Sequence, residues 1–150
     1  MTEVEVNTIV GRSLDWSFKI PDDSRGKKPF DVFGAYNGCP VYIESKNLKR
    51  PEAFPWDRFE PHQISNLLRI QELIPNAISI FLVVVDYGRS KKRAYIFQDM
   101  KELKRRWDDP EEKSIKKKEW DKRTNYIMIE KGHIDFSRLE EMKELEHAPV

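Results

Sequence analysis

The sequence is almost without cysteine. Cys39 is the single one in 150 residues, so no disulfide forms within the chain, and such usage fits a reducing compartment. Long hydrophobic runs are missing as well, because "AISIFLVVV" is too short to cross a bilayer. The N-terminus lacks a basic region followed by an apolar core. We therefore expect a soluble, cytoplasmic protein with no membrane partner.

An excess of either charge is also missing. Lys and Arg number 27 and Asp and Glu number 26, a formal net charge of +1, so net charge alone does not indicate nucleic-acid binding. Basic residues are nevertheless clustered, and the clusters either surround a phosphate track or only solvate loops. The clusters are Arg25, Lys27 and Lys28; Lys49 and Arg50; and Arg89, Lys91, Lys92 and Arg93. The length predicts one domain over residues 1–150.

The stretch "FDVFGAYNGCPVYIESK" contains a strong hairpin signal. Asn37-Gly38 favours a type I′ turn, because these two residue types tolerate positive φ at both central positions. A two-residue turn pairs Tyr36 with Cys39, and continuing that register places Asp31 opposite Glu44. The sequence therefore predicts two carboxylates side by side on neighbouring strands.

Opposed carboxylates destabilise a hairpin unless something neutralises them, and a divalent cation would do so. Lys46 lies on the same strand face as Glu44, because side chains alternate along a strand. Glu-x-Lys occurs four times in the chain, so the tripeptide alone carries no information. Only Glu44-Ser45-Lys46 ends an apolar run and faces an aspartate. The alternative is a surface hairpin with a cross-strand ion pair.

The remaining pattern predicts an α/β fold with element order αβββαβ and additions, in which helices flank a mixed central β-sheet. Thr2-x-x-Glu5 predicts a capping box for the first helix. The run 77–85 is expected at the centre of the sheet. The predicted elements are a helix over 3–14, strands over 15–20 and on both hairpin arms, an irregular segment over 47–61, a helix over 62–73, strands over 77–85 and 91–98, helices over 100–107 and 114–122, a strand over 125–130 and a helix over 136–146.

A hairpin bearing Asp, followed by Glu-x-Lys, a helix and a buried strand, resembles the restriction-endonuclease-like core of the PD-(D/E)XK nucleases. The segment "YIESKNLKRPEAFPWDRFEPHQISNL" is more closely similar to RecU-type Holliday junction resolvases, in which Glu-x-Lys leads through a Phe-Pro loop to a His-Gln pair. With "KSIKKKEW" and "HIDFSRLEEM", the resemblance covers most of residues 29–142. Short phage and archaeal junction resolvases are similar more loosely. The stretch Pro29-Phe30-Asp31 departs from the Pro-Asp dipeptide that names the superfamily.

Asp31 and Glu44 offer the hard oxygen ligands that Mg²⁺ prefers, or Mn²⁺ in its place. The resemblance implies that the backbone carbonyl of Ser45 is a further ligand. It also implies that Lys46 positions or deprotonates the attacking water, and that Gln63 reaches toward that water or the scissile phosphate. The alternative for Gln63 is an ordinary exposed helix glutamine.

The resemblance further implies that a glutamate of the first helix completes the site. We expect Glu5, with Glu3 as the alternative because the register of this helix is not fixed by the sequence. A glutamate near a helix start is also a favourable dipole partner. His62 either caps its helix or contacts DNA.

The function so predicted is that of a Mg²⁺-dependent endonuclease that cleaves four-way DNA junctions by paired symmetric incisions, as a homodimer. The alternatives are a general nicking or restriction-like enzyme on duplex DNA, and a DNA-binding module of the same fold without activity. Phe54, Trp56 and Phe59 form an aromatic cluster that either makes the dimer interface or folds back onto the chain's own core.

Overall fold

The computed structural model describes residues 1–21 and 28–150, and within them a six-stranded mixed β-sheet forms the centre of the molecule. A separate pair of two-residue strands, β4 and β7, lies outside that sheet. Short 3₁₀ turns occupy Trp56–Arg58 and Phe136–Arg138. The strands are β1 (Trp16–Lys19), β2 (Val32–Tyr36), β3 (Cys39–Leu48), β4 (Phe54–Pro55), β5 (Ile78–Asp86), β6 (Lys92–Phe97), β7 (Ser114–Ile115) and β8 (Tyr126–Met128), and the helices are α1 (Glu3–Ser13), α2 (Pro61–Leu73), α3 (Met100–Asp108), α4 (Lys117–Lys122) and α5 (Leu139–Glu146).

The strand order of the sheet is β1-β2-β3-β5-β6-β8. Only the β3 and β5 pair is parallel among these neighbours, as expected where the helix α2 makes the crossover between them. The apolar strand β5 is central, which confirms the prediction for residues 77–85. Both its faces are covered, since Ile80 packs in one core layer and Phe81 in the other.

The two core layers lie on opposite faces of the sheet. On one face, α1 and α5 bury Val6, Val10 and Met142. On the other face, α2 and α3 bury Leu67 and Leu103. No helix of the described residues is long and apolar enough to cross a membrane.

Two parts of the chain differ from the prediction. The helix expected over 114–122 begins only at Lys117, because Ser114–Ile115 pairs with Phe54–Pro55 as a short antiparallel ribbon. The backbone N–H of Trp56 extends that pairing by donating to the carbonyl of Lys113 at 3.0 Å. This long-range pairing overrides the local helical pattern, and it also orders part of the segment expected to be irregular.

The aromatic cluster of the Phe-Pro segment folds onto the chain's own core. Phe54 and Phe59 are completely buried, and Phe59 stacks on Phe81 with ring centroids 4.2 Å apart. Trp56 is also buried. The expectation that these side chains form a dimer interface is therefore wrong, and the alternative is confirmed. Burial of three aromatics stabilises the chain more than their exposure on a loop would.

Candidate active site

The predicted hairpin register is confirmed. Strands β2 and β3 pair from Val32 opposite Ile43 to Tyr36 opposite Cys39. The turn residues Asn37 and Gly38 have φ values of 51° and 79°, as a type I′ turn requires. The pairing continues one residue beyond β2, because the N–H of Asp31 donates to the Ile43 carbonyl at 3.0 Å. Asp31 therefore stands beside Glu44.

The carboxylate of Asp31 is fixed from two directions. Its Oδ2 accepts a hydrogen bond from the backbone N–H of Ser45 at 2.9 Å. Its Oδ1 lies 2.9 Å from Nζ of Lys28. Asp31 is buried, so these contacts hold its side chain in one orientation at the end of the β2 and β3 pair.

Glu44 is almost completely buried, with 1% of its surface exposed. Its Oε2 lies 3.2 Å from Nζ of Lys46, while its Oε1 is buried with no hydrogen-bond partner. Burial, reinforced by the neighbouring charge of Asp31, raises the pKa of Glu44 to about 8, and Lys46 opposes the shift. Without a cation the site thus favours the protonated acid over two adjacent negative charges.

This donor set fits a hard divalent cation. Two carboxylates converge, and one of their oxygens is buried without a partner. Alternate residues of a strand direct their backbone groups to the same side, and both the Ile43 carbonyl and the Ser45 N–H bond to Asp31. The Ser45 carbonyl is therefore directed to that same edge. Within residues 1–21 and 28–150, no third acidic, histidine or cysteine side chain joins the group.

The glutamates of α1 make other contacts. The Oε2 of Glu5 accepts from the N–H of Thr2, and the N–H of Glu5 donates to the Thr2 hydroxyl, both at 3.2 Å. The predicted capping box is therefore confirmed. Glu3 lies 3.2 Å from the guanidinium of Arg58. In this structure neither glutamate is joined to the carboxylates of the hairpin.

One residue of α1 was not singled out from the sequence. The Oδ1 of Asn7 is buried without a hydrogen-bond partner, as are Oγ of Ser45 and Oδ1 of Asn47 on β3. A second atom of Asn47, its Nδ2, donates to the carbonyl of Met1 at 2.5 Å, so α1 begins beside the end of β3. The sequence signal for Asn7 is weak, since asparagine in a helix is usually exposed.

The first turn of α2 lies on the sheet face that carries Glu44 and Lys46. Gln63 is buried there, and its Oε1 accepts from the backbone N–H of Glu60 at 3.3 Å. Nε2 of His62 lies 2.9 Å from the carbonyl of Lys28. The helix start is thereby tied to the segment that leads into Asp31.

Two of the predicted basic clusters lie at the same end of the sheet. Lys49 and Arg50 follow β3, and because β3 and β5 are parallel, the turn after β5 lies at that end too. Arg50 is paired with Glu52 at 3.1 Å, and Lys49 is exposed. In the remaining basic cluster, Lys28 contacts Asp31. Arg25 and Lys27, which were also predicted to bind DNA, lie outside the described residues.

The basic turn between β5 and β6 contains cations of two kinds. Arg89 and Lys91 are exposed, and Lys92 lies 3.9 Å from Asp86. The guanidinium of Arg93 is instead sandwiched between two tyrosine rings, Tyr87 and Tyr126, at 4.4 and 4.3 Å from their centroids. Arg93 is therefore a packing residue of the sheet more than a free surface charge.

A mixed sheet that holds Asp31, Glu44 and Lys46 together at one end defines the class: a nuclease with the core predicted for the PD-(D/E)XK superfamily. The match to known families is more specific. Residues 24–141 match the model of the family described as Recombination protein U, RecU, and the chain belongs to that family.

No curated protein matches the chain. Among solved structures, the chain is similar to Hjc from Archaeoglobus fulgidus, described as a Holliday junction resolvase from an archaeal hyperthermophile, with 13% identity, a TM-score of 0.46 and coverage of 75% of this chain and 82% of that one.

Proposed function

We propose that this protein is a Mg²⁺-dependent endodeoxyribonuclease that cleaves four-way DNA junctions by paired symmetric incisions, acting as a homodimer. Membership of the RecU family supports action on DNA in recombination. The observation that carries the proposal is the buried, partnerless Oε1 of Glu44 beside the carboxylate of Asp31. Two adjacent buried carboxylates are costly in a core, and Lys28 and Lys46 offset only part of that cost, which supports a divalent cation between them.

Asp31, Glu44 and the carbonyl of Ser45 would hold the ion. When bound, Mg²⁺ lowers the pKa of a coordinated water and neutralises charge that develops on the phosphate. The chain's own residues prepare the site for it. The N–H of Ser45 keeps Asp31 pointed at the hairpin edge, and burial excludes competing water from Glu44.

Lys46 has a separate role beside this donor set. Its Nζ lies 3.2 Å from Glu44, close enough to orient a water on that side of the site or to take its proton. Gln63 is buried on the same face and would reach the water or the phosphate only by leaving Glu60. The assignment of Glu5 or Glu3 as a further member of the site stays a prediction.

DNA would approach over the end of the sheet where β3 and β5 finish. Lys49, Arg89 and Lys91 are exposed at that end, and such cations bind phosphates independently of sequence. Glu44 pairs with Phe81, so five to six residue rises and one inter-strand step separate it from the end of β5, a distance of about 17–20 Å. A branched substrate extends over such a distance.

The proposal is tested with labelled junction, nicked, flap and linear DNA, each incubated with Mg²⁺ or with EDTA. We expect cleavage of the junction, dependent on Mg²⁺, and little cleavage of linear duplex. Glu44→Gln is the matched control for contaminating nuclease, because it keeps the size of the side chain and removes the charge. Equal cleavage of linear and branched DNA would favour the duplex nuclease instead, and no cleavage of any substrate would favour the inactive binding module.

A further inference from the structure

A lysine-rich segment around β7 and α4 has no role in the site described above. Among the described residues, its exposed lysines form no ion pair. They are Lys113, Lys116, Lys117, Lys118 and Lys122. The exposed acids over residues 111–122 are Glu111 and Asp121. Five positive charges therefore face two negative ones on this surface, and the excess attracts an anion.

Three of these lysines border one groove of about 380 Å³ between the end of α3 and α4. Lys118 and Lys122 are four residues apart and lie on one side of α4, and Lys116 immediately precedes the helix. Ser114 and Val150 also border this recess, which we call the α4 groove. Because one water takes up about 30 Å³, a groove of this volume admits a phosphate group.

The acids of the α4 groove are already paired with arginine. Glu112 and Glu119 line it, and both bind the guanidinium of Arg106, Glu119 at 2.8 Å. Glu119 also accepts from Nε of Arg123 at 2.6 Å. Burial opposes ionisation of Glu119, but the hydrogen bonds and charges of the two arginines hold its pKa below the ordinary value. The glutamates therefore stay charged and bound to arginine, and they leave the lysines to an outside anion.

The segment is fixed to the body of the protein by Trp120. This residue is completely buried, and its ring lies 4.8 Å from that of Tyr95. Its Nε1 donates to the carbonyl of Glu52 at 2.9 Å, and its own carbonyl accepts from the Tyr95 hydroxyl at 2.6 Å. The short helix α4 is thus held in one position, which lowers the entropy that its lysines lose on binding.

The α4 groove lies on the sheet face that carries Glu44. Tyr42 and Trp120 belong to the same core layer, and Glu44 shares the face of Tyr42 because it is two residues further along β3. Trp120 packs on β6, two strands from β3. One packed layer and two strand spacings separate α4 from Glu44, on the order of 15 Å between backbones. A DNA strand covers that distance in about four to five nucleotides.

We propose that Lys116, Lys118 and Lys122 bind backbone phosphates in the α4 groove, on DNA that flanks the cleavage site. The choice of DNA rests on the proposed function, which supplies it as the substrate. Lysine binds phosphate as a point charge, and a hydroxyl such as that of Ser114 donates to phosphate oxygens. The DNA then extends across the face of the sheet, beyond the cations at the end of β3 and β5, and its contacts here are independent of sequence.

The test is titration of a labelled four-way junction with the full chain in EDTA, at several salt concentrations. Replacing Lys116, Lys118 and Lys122 together by Gln should raise Kd tenfold or more near about 100 mM salt. It should also flatten the dependence of log K on log salt by about two to three units, at about 0.9 for each lost phosphate contact. Lys118→Gln alone should flatten it by about one unit. Thermal melts check that these exposed substitutions leave the fold intact.

A second triple variant is the matched control, because it removes the same charge from exposed lysines outside the α4 groove. Its changes are Lys101→Gln, Lys131→Gln and Lys143→Gln. It should bind within about threefold of wild type, since charges act over only about 10 Å at this salt. Replacing the groove lysines by Arg retains the charge and should retain the affinity.

Equal weakening in the groove variant and its control would reduce the effect to net charge and overturn the assignment. An unchanged Kd and salt slope in the groove variant would overturn it too. Because no cleavage is measured, an inactive protein that shows the expected losses would refute the proposed function alone. A wild-type protein that does not bind the junction would refute both.

Discussion

Three residues, Asp31, Glu44 and Lys46, are expected to carry the cleavage reaction. We expect Asp31→Asn and Glu44→Gln to abolish measurable cleavage, and Lys46→Ala to lower it by about 10²–10³-fold, as for removal of one preorganised electrostatic group. Junction binding should stay within a few-fold of wild type, because these residues serve the transition state more than the ground state. Single-turnover cleavage and gel-shift titration with the same junction measure the two quantities. Binding that falls in step with cleavage would contradict this assignment.

The raised pKa of Glu44 makes the stability of the metal-free protein depend on pH. The folded state retains a proton up to about pH 8, whereas the unfolded chain releases it near the ordinary value of 4.5. The free energy of unfolding is therefore highest below pH 4.5. It falls progressively as the pH rises from 4.5 to about 8, by on the order of a few kcal/mol. In EDTA, the Glu44→Gln variant should lose much less stability than the wild-type protein as the pH rises over this range.

Thermal melts of wild type and Glu44→Gln between pH 5 and pH 9 measure that difference. Mg²⁺ should stabilise wild type more at pH 8.5 than at pH 6, because ion and proton compete for Glu44. Parallel pH profiles of the two proteins in EDTA would show that Glu44 is not held as a protonated acid.

Among the structural elements, the turn between β5 and β6 combines two exposed cations that we expect to bind DNA, Arg89 and Lys91, with Arg93, which packs between two tyrosine rings. Replacing Arg89 and Lys91 by Ala should flatten the dependence of log K on log salt by up to about one unit per phosphate contact, with little effect on stability. Arg93→Ala should instead lower the melting temperature, because Tyr87 and Tyr126 lose the guanidinium between them. Junction titrations from 50 to 300 mM salt provide the slopes. An unchanged slope in the double variant would place this turn in bulk solvent.

The elements that follow from local chemistry were predictable from the sequence. The Asn37-Gly38 turn alone fixes the register that brings Asp31 to Glu44, and Thr2 with Glu5 marks the start of α1. The start of α4 was not predictable, because the pairing of Ser114–Ile115 with Phe54–Pro55 joins segments about sixty residues apart in sequence. The ion pair of Glu3 with Arg58 and the burial of the Asn7 Oδ1 likewise depend on how α1 docks against β3, which no local pattern encodes.

At the scale of the whole molecule, the proposed paired incisions need two groups of Asp31, Glu44 and Lys46, and the described residues of the chain contain one. The proposed homodimer would present two such groups to a substrate that has approximate two-fold symmetry. The basic end of each sheet would then contact two arms of the junction. Both cuts can in this way follow within the lifetime of one complex.

The most direct test of this account is cleavage of a supercoiled plasmid that extrudes a cruciform, followed over time with Mg²⁺. We expect conversion to linear product with little nicked intermediate, because both strands are cut before the proposed dimer dissociates. Accumulation of only singly nicked plasmid by the wild-type protein, with a monomer bound to the junction, would contradict the account.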